Sequence, residues 1–275
     1  MSGREALSGR EALGILKVGI IGHKGFVGSA FYELFSSDKK YEVLGIEKEN
    51  YEQLKGGRFH LLINANGNSS KPLAEKTPFL DFEMNVCSTA NFLQDFSFEH
   101  YIHISTVEVY GDASQQQNTL EDTPINSLSL SNYGFSKHLS ELAVKKYAKS
   151  WLILRLAGLV GKNMKKGPAF DILSSSRLFV SQDSSYQYLN TLDVASIAKS
   201  LAERGCWNDV YNVVGKGSMR LSELARMCDA KLSQTAGKEV HFNVSCAKLE
   251  SKMRVPTTRE TLEKFIQGWK NSSGQ

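Results

Sequence analysis

The chain has 275 residues, 41% of them hydrophobic and 23% charged, enough apolar material for one substantial core with or without a smaller lobe. Its 33 basic and 29 acidic residues give a net charge of +4 with no long run of either sign, a pattern that excludes a nucleic-acid groove and a polybasic membrane anchor. Four scattered cysteines, Cys87, Cys206, Cys228 and Cys246, form no CxxC pair, which argues against a metal site and a disulfide-built secreted scaffold.

The first residues carry a hexapeptide written twice, Ser2 to Leu7 and Ser8 to Leu13. Two copies of six residues cannot stack into a repeat fold, so 1–13 is read as a leader outside the folded domain. Arg4, Glu5, Arg10 and Glu11 interrupt any apolar signal core, and no stretch reaches the ~20 apolar residues that span a bilayer. A cytoplasmic protein without membrane contact is expected.

From Ile15 onward, short apolar runs alternate with amphipathic segments. The runs are Ile15 to Ile21, Tyr41 to Ile46, His60 to Ala65, Tyr101 to Ser105, Trp151 to Leu156 and Val210 to Val214. Helical patterns lie near Val27 to Phe35, Phe79 to Phe96, Ser131 to Lys149 and Leu192 to Arg204. Continuous apolar strands alternating with helices imply βαβ crossovers. The predicted fold is α/β, a doubly wound parallel Rossmann-type sheet with a small C-terminal lobe. Its predicted boundaries are a dinucleotide-binding domain at 14–160 and 186–215, and a substrate-binding lobe at 161–185 and 216–275. In the tail, two helical patterns flank a β-like Glu239 to Val244.

The first strand runs into Gly22, His23, Lys24, Gly25, Phe26, Val27 and Gly28 ahead of a helix. Glycines there permit a tight turn and close approach of a pyrophosphate, which the helix N-terminus then holds. Glu47, just after the second run, is placed to bind the adenosine ribose and repel a 2′-phosphate, favouring NAD. Lys24 and Lys48 pull toward NADP as point charges, and that choice stays open. Asn64, Ala65, Asn66 and Gly67, at the end of the third run, line the nicotinamide side of the cleft or form a simple turn.

Tyr133 and Lys137 stand at i and i+4 at the start of a helical pattern, so phenol and ammonium share one face. Tyrosine is a poor base near neutrality, and an adjacent cation is expected to lower its pKa. A hydroxyl to hold the reacting oxygen comes from Ser105 and Thr106 at the preceding strand end.

With these motifs in this order, the chain resembles the extended short-chain dehydrogenase/reductases, the NAD-dependent epimerase/dehydratase family of sugar-nucleotide enzymes. The resemblance covers about residues 15 to 230 and includes Glu141, Leu154 to Leu156, Tyr188 to Ala195 and Tyr211 to Val213. It implies that Thr106 hydrogen-bonds the substrate oxygen, that Tyr133 transfers the proton, and that Lys137 contacts the nicotinamide ribose. It also implies a homodimer through the two long helices, and a nucleotide-sugar substrate. The loop is similar to that of GDP-fucose synthases, which use NADP.

Two departures matter. Val107-Glu108 replaces the Asp-Glu pair of dTDP-glucose-type dehydratases, leaving Glu108 as a candidate base or a carboxylate tied elsewhere. Gln187 stands where many members have a diphosphate-binding arginine; Arg155, Lys162, Lys165, Lys166, Arg177, Arg220 and Arg254 are the remaining candidate phosphate contacts. The expected function is an epimerase or ketoreductase. The alternatives are a reductase or dehydrogenase of a smaller substrate, and a catalytically quiet NAD(P)H-binding regulator. No metal site is expected, since the histidines share no ligand spacing.

Overall fold

The six apolar runs become one parallel sheet in a computed structural model that describes residues 14–230, 232 and 237–273. The duplicated hexapeptide lies outside the described residues. In chain order the strands are β1 (Leu16–Ile21), β2 (Tyr41–Ile46), β3 (Arg58–Asn64), β4 (Ser97–Thr106), β5 (Trp151–Leu156), β6 (Gly158–Val160), β7 (Ser185–Tyr186), β8 (Tyr188–Asn190), β9 (Asp209–Val213) and β10 (Met219–Arg220). The main sheet has the order β2-β1-β3-β4-β5-β9. The chain leaves β1 for β2 on one side and returns to β3 on the other, so the strand order reverses beside β1. Ligands of open α/β sheets bind at such a switch point, outside the carboxyl ends of the strands.

The principal helices are α1 (Gly28–Ser36), α2 (Lys71–Lys76), α3 (Pro78–Phe82), α4 (Ser88–Asp95), α5 (Asn132–Tyr147), α6 (Thr191–Glu203), α7 (Leu221–Met227) and α8 (Thr258–Ser273). Shorter α-helical segments lie at Tyr51–Leu54, Pro168–Leu173 and Ala247–Glu250, and 3-10 turns at Val107–Tyr110, Gln116–Asn118 and Ser127–Ser129. On one sheet face, Phe31 and Phe35 of α1 and Ala195, Ala198 and Leu201 of α6 pack on Val18, Ile20, Ile102 and Leu154. On the other face, Phe92 and Phe96 meet Phe59, Leu62, Tyr101 and Ile153, with Val144 of α5 beside them. Each of the larger aliphatic and phenylalanine side chains contributes about 1.5–3 kcal/mol by leaving water, and together they fix the sheet between two helical layers.

The Phe79 to Phe96 pattern predicts one helix. The chain is indeed helical without a break from Pro78 to Asp95, as α3, a π-helical turn at Glu83–Cys87, and α4. The inward stripe of this segment is Asp81, Asn85, Thr89 and Phe92, and its first members are polar.

The lobe has its own apolar cluster, Val160, Ile172, Leu178, Tyr188, Leu221, Leu224, Leu262 and Ile266, against which Phe26 packs. Two small sheets serve it, β6-β8 parallel and β7-β10 antiparallel. The β-like Glu239 to Val244 makes only an isolated bridge, Ser185 to His241. A buried side chain does the pairing a ladder would do there: Gln187 Oε1 accepts from Val244 N at 2.6 Å, and its Nε2 donates to the carbonyls of Val244 and Gly215 at 3.1 and 2.9 Å.

Candidate active site

The loop between β1 and α1 turns at Gly22, whose φ of 77° belongs to the left-handed region. Gly25 N donates to Gly22 O at 2.9 Å. A Cβ on Gly28 would come within 2.1 Å of that same carbonyl, so no larger residue fits there. Val27 precedes the helix without a side-chain cap, and Ser29 N and Ala30 N already donate to the carbonyls of Gly25 and Val27 at 2.9 and 3.1 Å, so an external acceptor would be met by the loop amides ahead of Ser29. The glycine pattern and the uncapped helix start suit a pyrophosphate. Gly22 also faces the backbone of Ala65 and Asn66, to which its Cβ would come within 3.2 Å, so the loops after β1 and β3 form one crevice.

At the rim, Glu47 Oε1 accepts from Lys24 N at 2.8 Å and lies 2.9 Å from His23 Nδ1. The His23 ring covers the bare Cα of Gly45, where a Cβ would sit 2.4 Å from Nδ1. Lys24 and Lys48 are exposed. Asn64 is buried with its amide committed, accepting from Asn66 N and donating to Thr89 Oγ1 at 3.1 and 3.2 Å. It props the loop, while Asn66 is the exposed member.

Across the crevice, Ser131 Oγ caps α5 by accepting from Gly134 N at 3.2 Å. The first turns of α5 bring Tyr133 and Lys137 to the end of β4, where they are 8% and 5% exposed. Lys137 Nζ donates to Ile104 O at 2.6 Å. Thr106 is the last residue of β4, and its Oγ1 accepts from Glu108 N at 3.3 Å. Gly134 lies against Glu108 O, which a Cβ would approach to 2.7 Å, and this contact seats α5 on the strand end.

The electrostatics differ from the expectation that Lys137 lowers the phenol's pKa. Burial pushes Tyr133 above its ordinary value, a hydrogen bond with Thr106 pulls it back, and the charges of Glu108 and Asp81 add to the rise. Burial also drives Lys137 down to about 8, against Glu141 and Asp81. Desolvation acts on both groups more strongly than their mutual charge effect, and the ammonium is engaged by Ile104.

Several motif residues prove to be scaffold. Glu141 and Arg155 are both buried and form a two-point pair, at 3.0 and 2.7 Å. Ser105 Oγ donates to the same carboxylate at 2.6 Å, and the guanidinium covers the Tyr110 ring at 4.8 Å. Tyr110 in turn donates to Asn212 Oδ1 at 2.8 Å. Arg155 is therefore not a phosphate contact: the interior it occupies requires a paired charge. Lys162 faces Glu33 at 3.7 Å, Arg254 donates to Glu260 at 2.7 Å, and Arg177 lies over Phe179. Lys166 reaches toward the crevice, donating to Ser69 Oγ at 3.0 Å.

Sequence reasoning passed over Asn68, Lys71, Asp81, Asn85 and Phe242. The Lys71 ammonium contacts the Glu108 carboxylate and sits 5.3 Å from the centre of the Phe242 ring, closing one wall of the crevice. The i, i+4 spacing of Asp81, Asn85 and Thr89 on the stripe leading to Phe92 was a usable signal. Among the described residues, no group of three His, Cys, Asp or Glu is arranged to hold a metal ion, and no helix is long and apolar enough to cross a membrane.

Comparison with solved structures finds the same architecture. UDP-glucuronic acid 4-epimerase from Bacillus cereus, in complex with UDP-glucuronic acid and NAD, is 18% identical with a TM-score of 0.77 over 94% of this chain and 100% of that one. dTDP-4-dehydrorhamnose reductase from Bacillus anthracis str. Ames, in complex with NADP, is 19% identical with a TM-score of 0.75 over 92% and 98%. dTDP-glucose 4,6-dehydratase from the same organism, in complex with NAD, is 15% identical with a TM-score of 0.74 over 94% and 98%. No curated protein matches the chain by sequence. The family model described as NAD dependent epimerase/dehydratase matches residues 18–213, a span that holds the phosphate loop, Thr106, Tyr133 and Lys137, and the chain belongs to that family of enzymes.

Proposed function

We propose that this enzyme catalyses reversible NAD(P)-dependent hydride transfer at a carbinol or keto carbon of a sugar nucleotide, as an epimerase or a ketoreductase. The observation that carries the reading is the meeting of Tyr133, Lys137 and Thr106 at the end of β4, across the crevice from the Gly22–Gly28 loop. The amides of the Gly22–Gly28 loop ahead of Ser29 would hold the pyrophosphate, Glu47 the adenosine ribose and Lys137 the nicotinamide ribose. A nicotinamide bound there accepts or returns the hydride. Thr106 holds the reacting oxygen, and Tyr133 takes the hydroxyl proton on oxidation and gives it back on reduction. Glu47, already fixed against the loop, disfavours a 2′-phosphate, so NAD is the first choice. Exposed Lys24 and Lys48 support NADP as the second.

Val107 at the acid position weighs against a dTDP-glucose-type elimination, and Glu108 is paired with Lys71. The solved relatives that bind UDP-glucuronic acid, or that act on dTDP-sugars, support a nucleotide-sugar substrate. One observation favours a smaller substrate: Gln187 is consumed by the lobe's own backbone and cannot grip a diphosphate. A screen of UDP-, GDP-, dTDP- and CDP-sugars with NAD and NADPH separates the two readings. In the same assay Tyr133→Phe should lower turnover about 10²–10⁴-fold with cofactor binding retained. Unchanged turnover in that variant refutes the acid/base assignment. Tight cofactor binding without turnover on any substrate would favour the quiet regulator.

We also propose a homodimer across α3, α4 and α5. Phe79, Leu80, Met84, Leu142 and Tyr147 are exposed on the outer surface of these helices, a density of apolar side chains that marks an interface.

A further inference from the structure

The inward stripe of α3 carries a carboxylate that the catalytic reading does not use. Asp81 has no exposed surface. Its Oδ1 accepts from Asn68 Nδ2 and Asn85 Nδ2 at 2.7 and 2.9 Å, and its Oδ2 has no partner. Asn85 Oδ1 is likewise buried without a partner, beside Gly67. A buried carboxylate with one bare oxygen is costly unless a cation faces it, and an asparagine would fill the same space without that cost.

The cation is located by the register of the helices. The Glu75 carboxylate accepts from Asn132 N and Nδ2 at 3.2 and 3.0 Å, and Ser140 Oγ donates to Asn85 O at 3.0 Å. The two segments therefore run in the same direction, and these contacts bracket Asp81. They set it opposite the turn of α5 that holds Ser136 and Lys137. Lys137 has given one donor to Ile104 O and has two more.

We propose that Asp81 is the counter-charge of Lys137 and a positioning residue of the hydride-transfer site, joining the loop after β3, through Asn68, to the lysine that receives the nicotinamide ribose. The proposal rests on the functional reading above for its consequence in turnover. Among the described residues, the ionisable groups that interact with the Lys137 charge are Asp81 from α3, His103 from β4 and Glu141 from its own helix, with Tyr133 one turn earlier on α5. Glu141 is held by Arg155, and burial disfavours a charge on His103. Asp81 is thus the anion near Lys137 that no other cation claims among the contacts described. Its charge opposes the burial that drives Lys137 toward neutrality.

The test is Asp81→Asn, which keeps shape and an acceptor oxygen but removes the charge. In protein labelled with ε-¹³C lysine, the Lys137 resonance is assigned by its loss in Lys137→Arg and titrated by NMR in the full chain with NAD. The midpoint should fall by about one pH unit, and the alkaline limb of turnover should move with it. An unmoved midpoint overturns the proposal. If Asp81→Asn folds poorly, a double-mutant cycle with Lys137→Met in urea decides instead. Destabilisation by the two changes should be less than additive, because the double variant leaves no unpaired buried charge; simple additivity overturns the proposal. Both readouts are independent of catalysis, so a Tyr133→Phe variant with normal turnover would remove the functional reading and leave this test standing.

Discussion

Burial sets the working range of the two residues to which the proposed hydride transfer is assigned. The Tyr133 phenol, held above its ordinary value, stays protonated through neutral pH and is suited to deliver its proton during ketone reduction. Lys137 sits at about 8, so the alkaline limb of reduction belongs to the lysine. Turnover in the reducing direction should be nearly level from pH 6 to about 7 and fall with a midpoint near 8; a rate still level at pH 9.5 contradicts this assignment. Glu141 offers a stability test at the same scale. Arg155 and Ser105 hold its carboxyl below the ordinary 4.5, against the opposing effect of burial. A depressed carboxyl contributes stability that is fully present above the unfolded value and is lost as pH falls through the folded one. Glu141→Gln leaves the Arg155 guanidinium buried without its anion and should cost about 3–5 kcal/mol in urea unfolding at pH 7. The loss should shrink as pH drops below 4.5, where the wild-type pair also comes apart.

At the scale of elements, glycines separate what the loop requires from what a helix merely tolerates. Gly28→Ala places a methyl 2.1 Å from the Gly22 carbonyl, a backbone atom that cannot step aside, so the phosphate loop must open. Cofactor affinity measured by calorimetry should collapse in that variant. Gly268→Ala in α8 meets nothing within 4 Å and should stabilise by about 0.5–1 kcal/mol, visible as a raised Tm with unchanged affinity. Patterns of this local kind are also what made the fold readable. The apolar runs located every strand of the main sheet, and the i, i+4 pairs Phe31/Phe35 and Phe92/Phe96 located the helix faces that meet it. Tyr133 and Lys137 were legible for the same reason, because helical geometry alone puts them together. The unread parts depend on partners far away in the chain. Arg155 reads as a free charge until β5 carries it beneath Glu141, and Gln187 reads as a lost arginine until it is seen to replace a strand ladder. Asp81 and Asn85 share their spacing with Thr89 and Phe92, but polar residues on such a stripe look like a helix's outer face until the packed helix shows them buried.

Across the whole molecule, the crevice is assembled from two bodies of apolar packing that meet at the phosphate loop. Phe26 rests on the lobe cluster while its neighbours turn around the end of β1, so loop and lobe are mechanically joined. On the far side of the sheet, α3, α4 and α5 turn Asp81, Asn85, Tyr133 and Lys137 inward. The same helices and the π-helical turn between them leave Phe79 89% exposed, with Leu80, Met84, Leu142 and Tyr147 also exposed along them. A second copy covering that surface would clamp the helices that set the register between Asp81 and Lys137. Phe79→Glu together with Leu80→Lys puts charges into that face, where desolvating them without partners is costly. Light scattering coupled to size exclusion should show a dimer for the wild type and a monomer for the double variant at micromolar concentration. Because the substituted side chains point away from the crevice, the monomer should keep its fold, and any loss of turnover would come from a loosened α3–α5 packing. A wild-type chain that is monomeric under these conditions would dispose of the dimer.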